Sequence, residues 1–229
     1  MAIVAMNTHT MTLGMRRPEP PMAEEWLILD SYILLGGLLV GANLVASLRG
    51  HLRRESTAAR HDALTGLPNR RGFMEEAAAE LGRAARYGTP FALAYIDLDG
   101  FKAVNDRRGH AVGDEVLRAV GRTLGSQTRA HDLAARIGGD EFAILLPETR
   151  GEEARLALKT LRSRLGTAMA EGGWPITFSV GAIAGLTDDG DPRSPMAEAD
   201  ALMYRVKRSG KDQLALEERT SKRPLGCGG

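Results

Sequence analysis

Two kinds of hydrophobic pattern divide the chain. Residues 26–48, WLILDSYILLGGLLVGANLVASL, are apolar on all sides, and Asp30 is the one charge among them. At about 1.5 Å per residue such a helix is about 34 Å long, enough to cross a hydrocarbon core of about 30 Å. The segment therefore predicts one transmembrane helix. A buried core helix is the weaker reading, because no neighbouring stretch is long enough to surround it. A cleaved signal peptide is weaker too: the apolar run is too long, and Glu24 and Glu25 stand where a basic region belongs. Arg49, Arg53, Arg54 and Arg60 follow the segment and Arg16 and Arg17 precede it, so the C-terminal side is expected to be cytoplasmic. Trp26 and Tyr32 suit an interfacial belt. Residues 1–25 read as a short disordered leader. Residues 49–61 read as a helical stalk, with a partner-facing row Leu44, Leu48, Leu52 and Glu55 that falls short of three heptads.

From residue 62 the pattern alternates between strand and helix periods. FALAYIDLD (91–99) predicts a buried strand, and GDEVLRAVGRTLGSQTR (113–129) a helix with Val116, Leu117, Val120 and Leu124 inward. DLAARIGG and DEFAILLPE predict a hairpin that turns at Gly138-Gly139, where positive φ is expected. A helix over 152–169, a strand over 175–185, a helix over 194–210 and a short edge strand, DQLAL, follow. The order is that of an α+β ferredoxin-like βαββαβ sandwich with an added helix and strand. Residues 62–217 form the predicted domain, and 218–229 a disordered tail.

Composition narrows the function. Thirty Lys and Arg against 29 Asp and Glu leave a net charge of +1, which argues against a nucleic-acid partner. The single cysteine, Cys227, excludes an internal disulfide, and no Cys/His cluster has zinc spacing. Acidic residues carry the remaining signal. Asp97 and Asp99 lie two apart at a strand end and so share a face. Asp140 and Glu141 follow the glycine turn. Carboxylates that converge there repel one another unless a cation intervenes. Oxygen ligands of this kind suit Mg²⁺, which keeps phosphate oxygens in its shell, so the pattern points to metal-assisted phosphoryl transfer.

Four ordered stretches, DALTGLPNRRGF (62–73), DLDGFKAVNDRRGHAVGDEVL (97–117), RIGGDEF (136–142) and ADALMYRVKRSGK (199–211), together resemble the diguanylate cyclase, or GGDEF, domain. The resemblance covers about residues 60–216. It implies condensation of two GTP into cyclic di-GMP with release of two pyrophosphates. It implies Mg²⁺, with Mn²⁺ as the alternative, held by Asp97, the Leu98 carbonyl, Asp140 and Glu141. It implies that an acid at the hairpin deprotonates the ribose 3′-hydroxyl, Asp140 being the first choice and Glu141 the second. Gly138 and Gly139 would let the turn approach the α-phosphate. Phe101 and Lys102 would bind the β- and γ-phosphates, with Lys207 and Lys211 reaching them from the last helix. Asn105 and Asp114 would read guanine, whose N1–H and N2–H₂ donors match a carboxylate, and His110 would contact the nucleotide. Arg129 and Asp132, in RAHD, fall at the spacing of the family's product-inhibition site for cyclic di-GMP. Lys211 stands where the family usually has Arg, and Gly100 where a larger residue is common.

Each domain has one guanine-reading set, so a two-nucleotide product implies a homodimer. The competing class is a catalytically silent module that binds GTP or cyclic di-GMP and signals through a partner. The intact set Asp97, Asp140 and Glu141 separates the two, because a silent module has no need of it.

Overall fold

The computed structural model describes residues 35–41, 60–187 and 190–219. Residues 35–41 are helical, with Leu35, Leu38, Leu39 and Val40 exposed. Among the described residues no helix is long and apolar enough to cross a membrane. The expected span 26–48 is thus represented only by 35–41; the rest of it, the leader, the stalk up to residue 59 and residues 220–229 lie outside the described residues.

The remainder is an α+β sandwich. Helix α1 (Arg70–Tyr87) leads to β1 (Phe91–Asp99), α2 (Phe101–Arg108), α3 (His110–Gln127), the hairpin β2 (Leu133–Arg136) and β3 (Glu141–Pro147), α4 (Gly151–Glu171), β4 (Thr177–Gly185), α5 (Arg193–Arg208) and β5 (Leu214–Arg219). The sheet order is β2-β3-β1-β4-β5, with the first four strands antiparallel and β5 parallel to β4. Its β1-α3-β2-β3-α4-β4 core is the expected ferredoxin-like arrangement. The added β5 extends one edge while α5 packs on the sheet face, and β5 runs to Arg219, two residues past the predicted end of the domain.

Two helices were not delineated by the periodicity. Helix α1 is set by Asn69, whose side chain accepts from the amides of Arg71 and Gly72, and it buries Phe73, Ala77, Leu81 and Ala84 along one stripe. Helix α2 is too short to show a period. It starts because Gly100, at φ +84°, turns the chain off β1 through the left-handed region that glycine takes without strain.

Strand β1 is the centre of the sheet and is buried at all nine positions. Its two faces feed two cores. Ala92, Ala94, Ile96 and Leu98 pack with α3 and α4 residues such as Val116, Val120, Leu158 and Leu165. Phe91, Leu93 and Tyr95 pack with α1 and α5 residues such as Phe73, Leu81, Leu202 and Met203. Strand alternation therefore puts Asp97 and Asp99 on the α1/α5 face. Truncating Phe142 or Phe73, both fully buried, to Ala would cost about 3–5 kcal/mol.

Candidate active site

The hairpin register sets Glu141 opposite Asp97, and the Leu98 amide donates to the Asp140 carbonyl at 3.2 Å. Three of the predicted acidic positions thus meet at one end of the sheet. Asp97 is 4% exposed. Its Oδ2 pairs with Lys207 Nζ at 2.8 Å, and its Oδ1 is buried with no hydrogen-bond partner. Burial pushes the Asp97 carboxyl above the ordinary carboxylate range, against the pull of Lys207, and the charges of Asp140 and Asp99 add to the rise. For Lys207, burial pulls downward but the contact with Asp97 wins, so its ammonium is held above the usual lysine range. A buried carboxylate that keeps an unpaired oxygen beside two further acids is short of positive charge, and a divalent cation fits that deficit. Among the described residues no three His, Cys, Asp or Glu side chains close around one point.

Asp99, also on the expected face, is not part of this cluster. Both its oxygens accept from Ser179 Oγ, at 3.0 and 2.8 Å, and Oδ2 also accepts from Thr177 Oγ1 at 3.3 Å and the Asp212 amide at 3.2 Å. It ties β1 to β4 and to the turn after α5. That turn carries Lys211, exposed and at φ +63°, and is tied again by Arg162 to Asp212 Oδ1 at 2.8 Å.

The glycines correct one expectation. Neither Gly138 nor Gly139 takes positive φ. A Cβ at Gly138 would stand 2.5 Å from Glu141 Oε2, so a side chain there would push the Glu141 carboxylate aside. At Gly139 a Cβ would meet nothing within 4 Å, so the tip is open to a ligand. What holds the turn is Arg136. Its guanidinium donates to the carbonyls of Gly138 (3.1 Å) and Gly139 (2.7 Å) and to both oxygens of Asp62 (3.1 Å each). Asp62 in turn accepts from the amide and hydroxyl of Thr65. Burial raises the Asp62 carboxyl, but the hydrogen bonds from Thr65 and Arg136 outweigh it and hold the group below its ordinary range.

Phe101 and Lys102, expected to bind phosphate, lie directly after β1. Helix α2 has no side-chain cap, so the amides of Phe101 and Lys102 are left for a ligand, while the Phe101 ring is buried. Lys102 is exposed. Asn105 packs on α3 where Gly113 makes room, a Cβ there falling 3.0 Å from its Cγ. Asp114 is half exposed beside Arg118, and His110 is exposed at the start of α3. Lys207 thus reaches Asp97 from α5, while Asn105 meets Gly113 of α3 and Asp114 pairs with Arg118.

Arg129 and Asp132 lie elsewhere. Their turn precedes Leu133, which pairs with Leu145 and through it with Leu93, at the end of the sheet away from Asp97. The Asp132 carboxylate accepts from the Arg129 amide at 2.7 Å. Both residues line two hollows of about 440 and 300 Å³.

Residues 59–213 match the model of the family described as "Diguanylate cyclase, GGDEF domain". The chain belongs to the GGDEF family. It is 36% identical over 170 residues to the diguanylate cyclase DgcP of Pseudomonas aeruginosa, covering 73% of this chain and 25% of that protein. It is 38% identical over 190 residues to the probable diguanylate cyclase DgcE of Escherichia coli, covering 80% and 17%. The chain therefore spans a quarter or less of the length of these two relatives. The coiled coil and GGDEF domain of DgcB from Caulobacter crescentus, solved with c-di-GMP, superposes with a TM-score of 0.63 at 30% identity, covering 80% of this chain and 99% of that one.

Two contributors to this GGDEF site were not singled out from sequence. Arg136 is a half-buried charge that follows two buried alanines on β2, which demands a partner. Tyr95 carries the one hydroxyl in the apolar run FALAYI, and its Oη donates to Glu141 Oε2 at 3.1 Å. Burial, then the Glu141 charge, pushes its phenol well above the ordinary tyrosine range.

Proposed function

We propose that the protein is a diguanylate cyclase that joins two GTP into cyclic di-GMP. The observation that carries this reading is the unpaired buried oxygen of Asp97, set opposite Glu141 and four residues before α2 begins at Phe101. Asp97, the Leu98 carbonyl, Asp140 and Glu141 would hold Mg²⁺, or Mn²⁺ in its place. Such an ion neutralises triphosphate charge and favours departure of pyrophosphate.

The chain's own residues do the rest. The Phe101 and Lys102 amides and the Lys102, Lys207 and Lys211 cations hold the β- and γ-phosphates. Lys207 exchanges its Asp97 contact for phosphate when the site fills. Asn105 and Asp114 select guanine, and His110 borders the nucleotide. Gly138 and Gly139 leave the α-phosphate open to attack. Asp140 accepts the proton of the 3′-hydroxyl, with Glu141 the alternative base. The 3′-oxygen bonds to the α-phosphorus of the other GTP, the bond to the β-phosphate oxygen breaks, and pyrophosphate leaves. The second link forms in the same way.

One domain presents one GTP, so the working unit is a homodimer with facing sites. The apolar run 26–48 anchors it in the cytoplasmic membrane with the domain inside the cell, and the stalk raises the local concentration of domains. Cyclic di-GMP at Arg129 and Asp132 inhibits. The complete acidic set favours catalysis over the silent module.

The test is direct. Purified protein with GTP and Mg²⁺ should yield cyclic di-GMP and two equivalents of pyrophosphate, with a specific activity that rises with enzyme concentration. GTP binding without product would return the silent module.

A further inference from the structure

Tyr95 lies on β1 two residues before Asp97 and therefore on the same face. It is 5% exposed. Opposite it on β3 stands Ala143, whose small side chain leaves the phenol room, and the next same-face position on β3 is Glu141. The Tyr95–Glu141 hydrogen bond thus runs diagonally between neighbouring strands at 3.1 Å.

This bond answers a problem that the register creates. Asp97 and Glu141 are directly opposed acids, and like charges in that relation repel. Each is given one partner. Lys207 takes Oδ2 of Asp97, and Tyr95 takes Oε2 of Glu141. The missing Cβ at Gly138 leaves space for the same Oε2. The Glu141 backbone is tied down as well, its carbonyl accepting from the amides of Ile137 and Gly138 at 2.8 and 3.3 Å. Without the phenol hydroxyl, a half-buried glutamate side chain beside another carboxylate would swing toward water, which relieves the repulsion and dismantles the pair.

We infer that Tyr95 is a positioning residue: its hydroxyl holds the Glu141 carboxylate beside Asp97, so that the two acids form a cation site before the nucleotide arrives. The inference rests on the cyclase reading above. It adds a neutral donor to the acids and lysines of that site. A phenylalanine would fill the same volume, so the hydroxyl alone carries the role.

The experiment compares wild type with Tyr95→Phe in the full chain. Wild type is first assayed for cyclic di-GMP; if it makes none, the cyclase reading fails, and the arms below still test the pair as a cation site. Mn²⁺ affinity is then measured by electron paramagnetic resonance with a GTP analogue whose α–β bridge cannot be cleaved. Tyr95→Phe should bind Mn²⁺ about tenfold more weakly, as for other groups that orient metal ligands. Its half-saturating Mg²⁺ concentration should rise by a similar factor, and raising Mg²⁺ should restore kcat. The KM for GTP at saturating metal and the thermal midpoint should stay near wild type. In a Glu141→Ala background the Tyr95→Phe change should have no further effect on Mn²⁺ affinity. Unchanged Mn²⁺ affinity in Tyr95→Phe, or an equal further loss in the Glu141→Ala background, would overturn the inference while leaving the cyclase reading standing.

Discussion

Asp97 and Asp99 stand two residues apart on one strand, point to one face and are buried to almost the same degree. Their surroundings differ. On the β4 side, Asp99 accepts from two hydroxyls and one amide, and nothing about it invites a ligand. On the β3 side, Asp97 faces a second acid, has one lysine, and keeps an oxygen with no partner. A buried carboxylate whose acceptors are filled is architecture; one left short of charge is a place for a cation. Ser179 of β4 stands opposite Asp97, yet its hydroxyl donates to Asp99, which leaves Asp97 with Lys207 and, across on β3, Glu141.

Neutralising Asp97 tests this contrast most severely. Asp97→Asn should lower cyclic di-GMP synthesis by at least about 10²- to 10³-fold, the cost of removing one charge-stabilising group from a site of this kind. Circular dichroism should show a folded protein with little change in melting. Near-wild-type turnover at saturating Mg²⁺ would make the two aspartates equivalent and remove the metal assignment.

Asp99→Ala should do the reverse. It strands Thr177, Ser179 and the Asp212 amide, and should cost about 2–4 kcal/mol of stability in denaturant unfolding. Folded Asp99→Ala should keep more activity than Asp97→Asn. If Asp99→Ala melts like wild type yet is inactive, the division between the two acids is wrong.

Asp62 extends the comparison to a third carboxylate, filled by Thr65 and Arg136. Its carboxyl is held below the ordinary range, so the folded state binds its proton less readily than the unfolded state. The stabilisation is therefore present above the ordinary carboxylate range and is lost as pH falls through the lowered folded value. Asp62→Asn should cost about 1.5–3 kcal/mol near neutral pH. The gap to wild type should shrink in acid melts below the ordinary range. A gap that grows in acid would contradict the assignment.

The smallest effect is expected at the other end of the sheet. Arg129→Ala should leave the initial rate unchanged and let the progress curve run to a higher product level. A mutant that stalls where wild type stalls would remove the inhibitory role.

Much of this was legible in the chain itself. FALAYIDLD announced a buried strand because all its positions except the two aspartates suit burial, and the hairpin was legible from two strand patterns around Gly138-Gly139. The acids were legible as a set because four motifs occur in order. The eight-residue helix α2 was not, since it is barely two turns long. Helix α1 was set by the Asn69 cap and a stripe in which Phe73 and Leu81 are separated by alanine, which gives a faint signal.

Residue types along the chain decided that Asp97 stands near a strand end and that Asp140 and Glu141 follow a glycine pair, because strand period and turn composition are local properties. Only the tertiary structure decided that Glu141 rather than Asp140 lies opposite Asp97, since register is a relation between strands. It decided that Asp99 is satisfied by β4 and that Arg136 reaches back to Asp62, a residue 74 positions earlier. It also decided that the glycine at 138 lies against the Glu141 carboxylate and does not take positive φ. Long-range hydrogen bonds and shared space have no period in sequence, and so they become visible when the chain is folded.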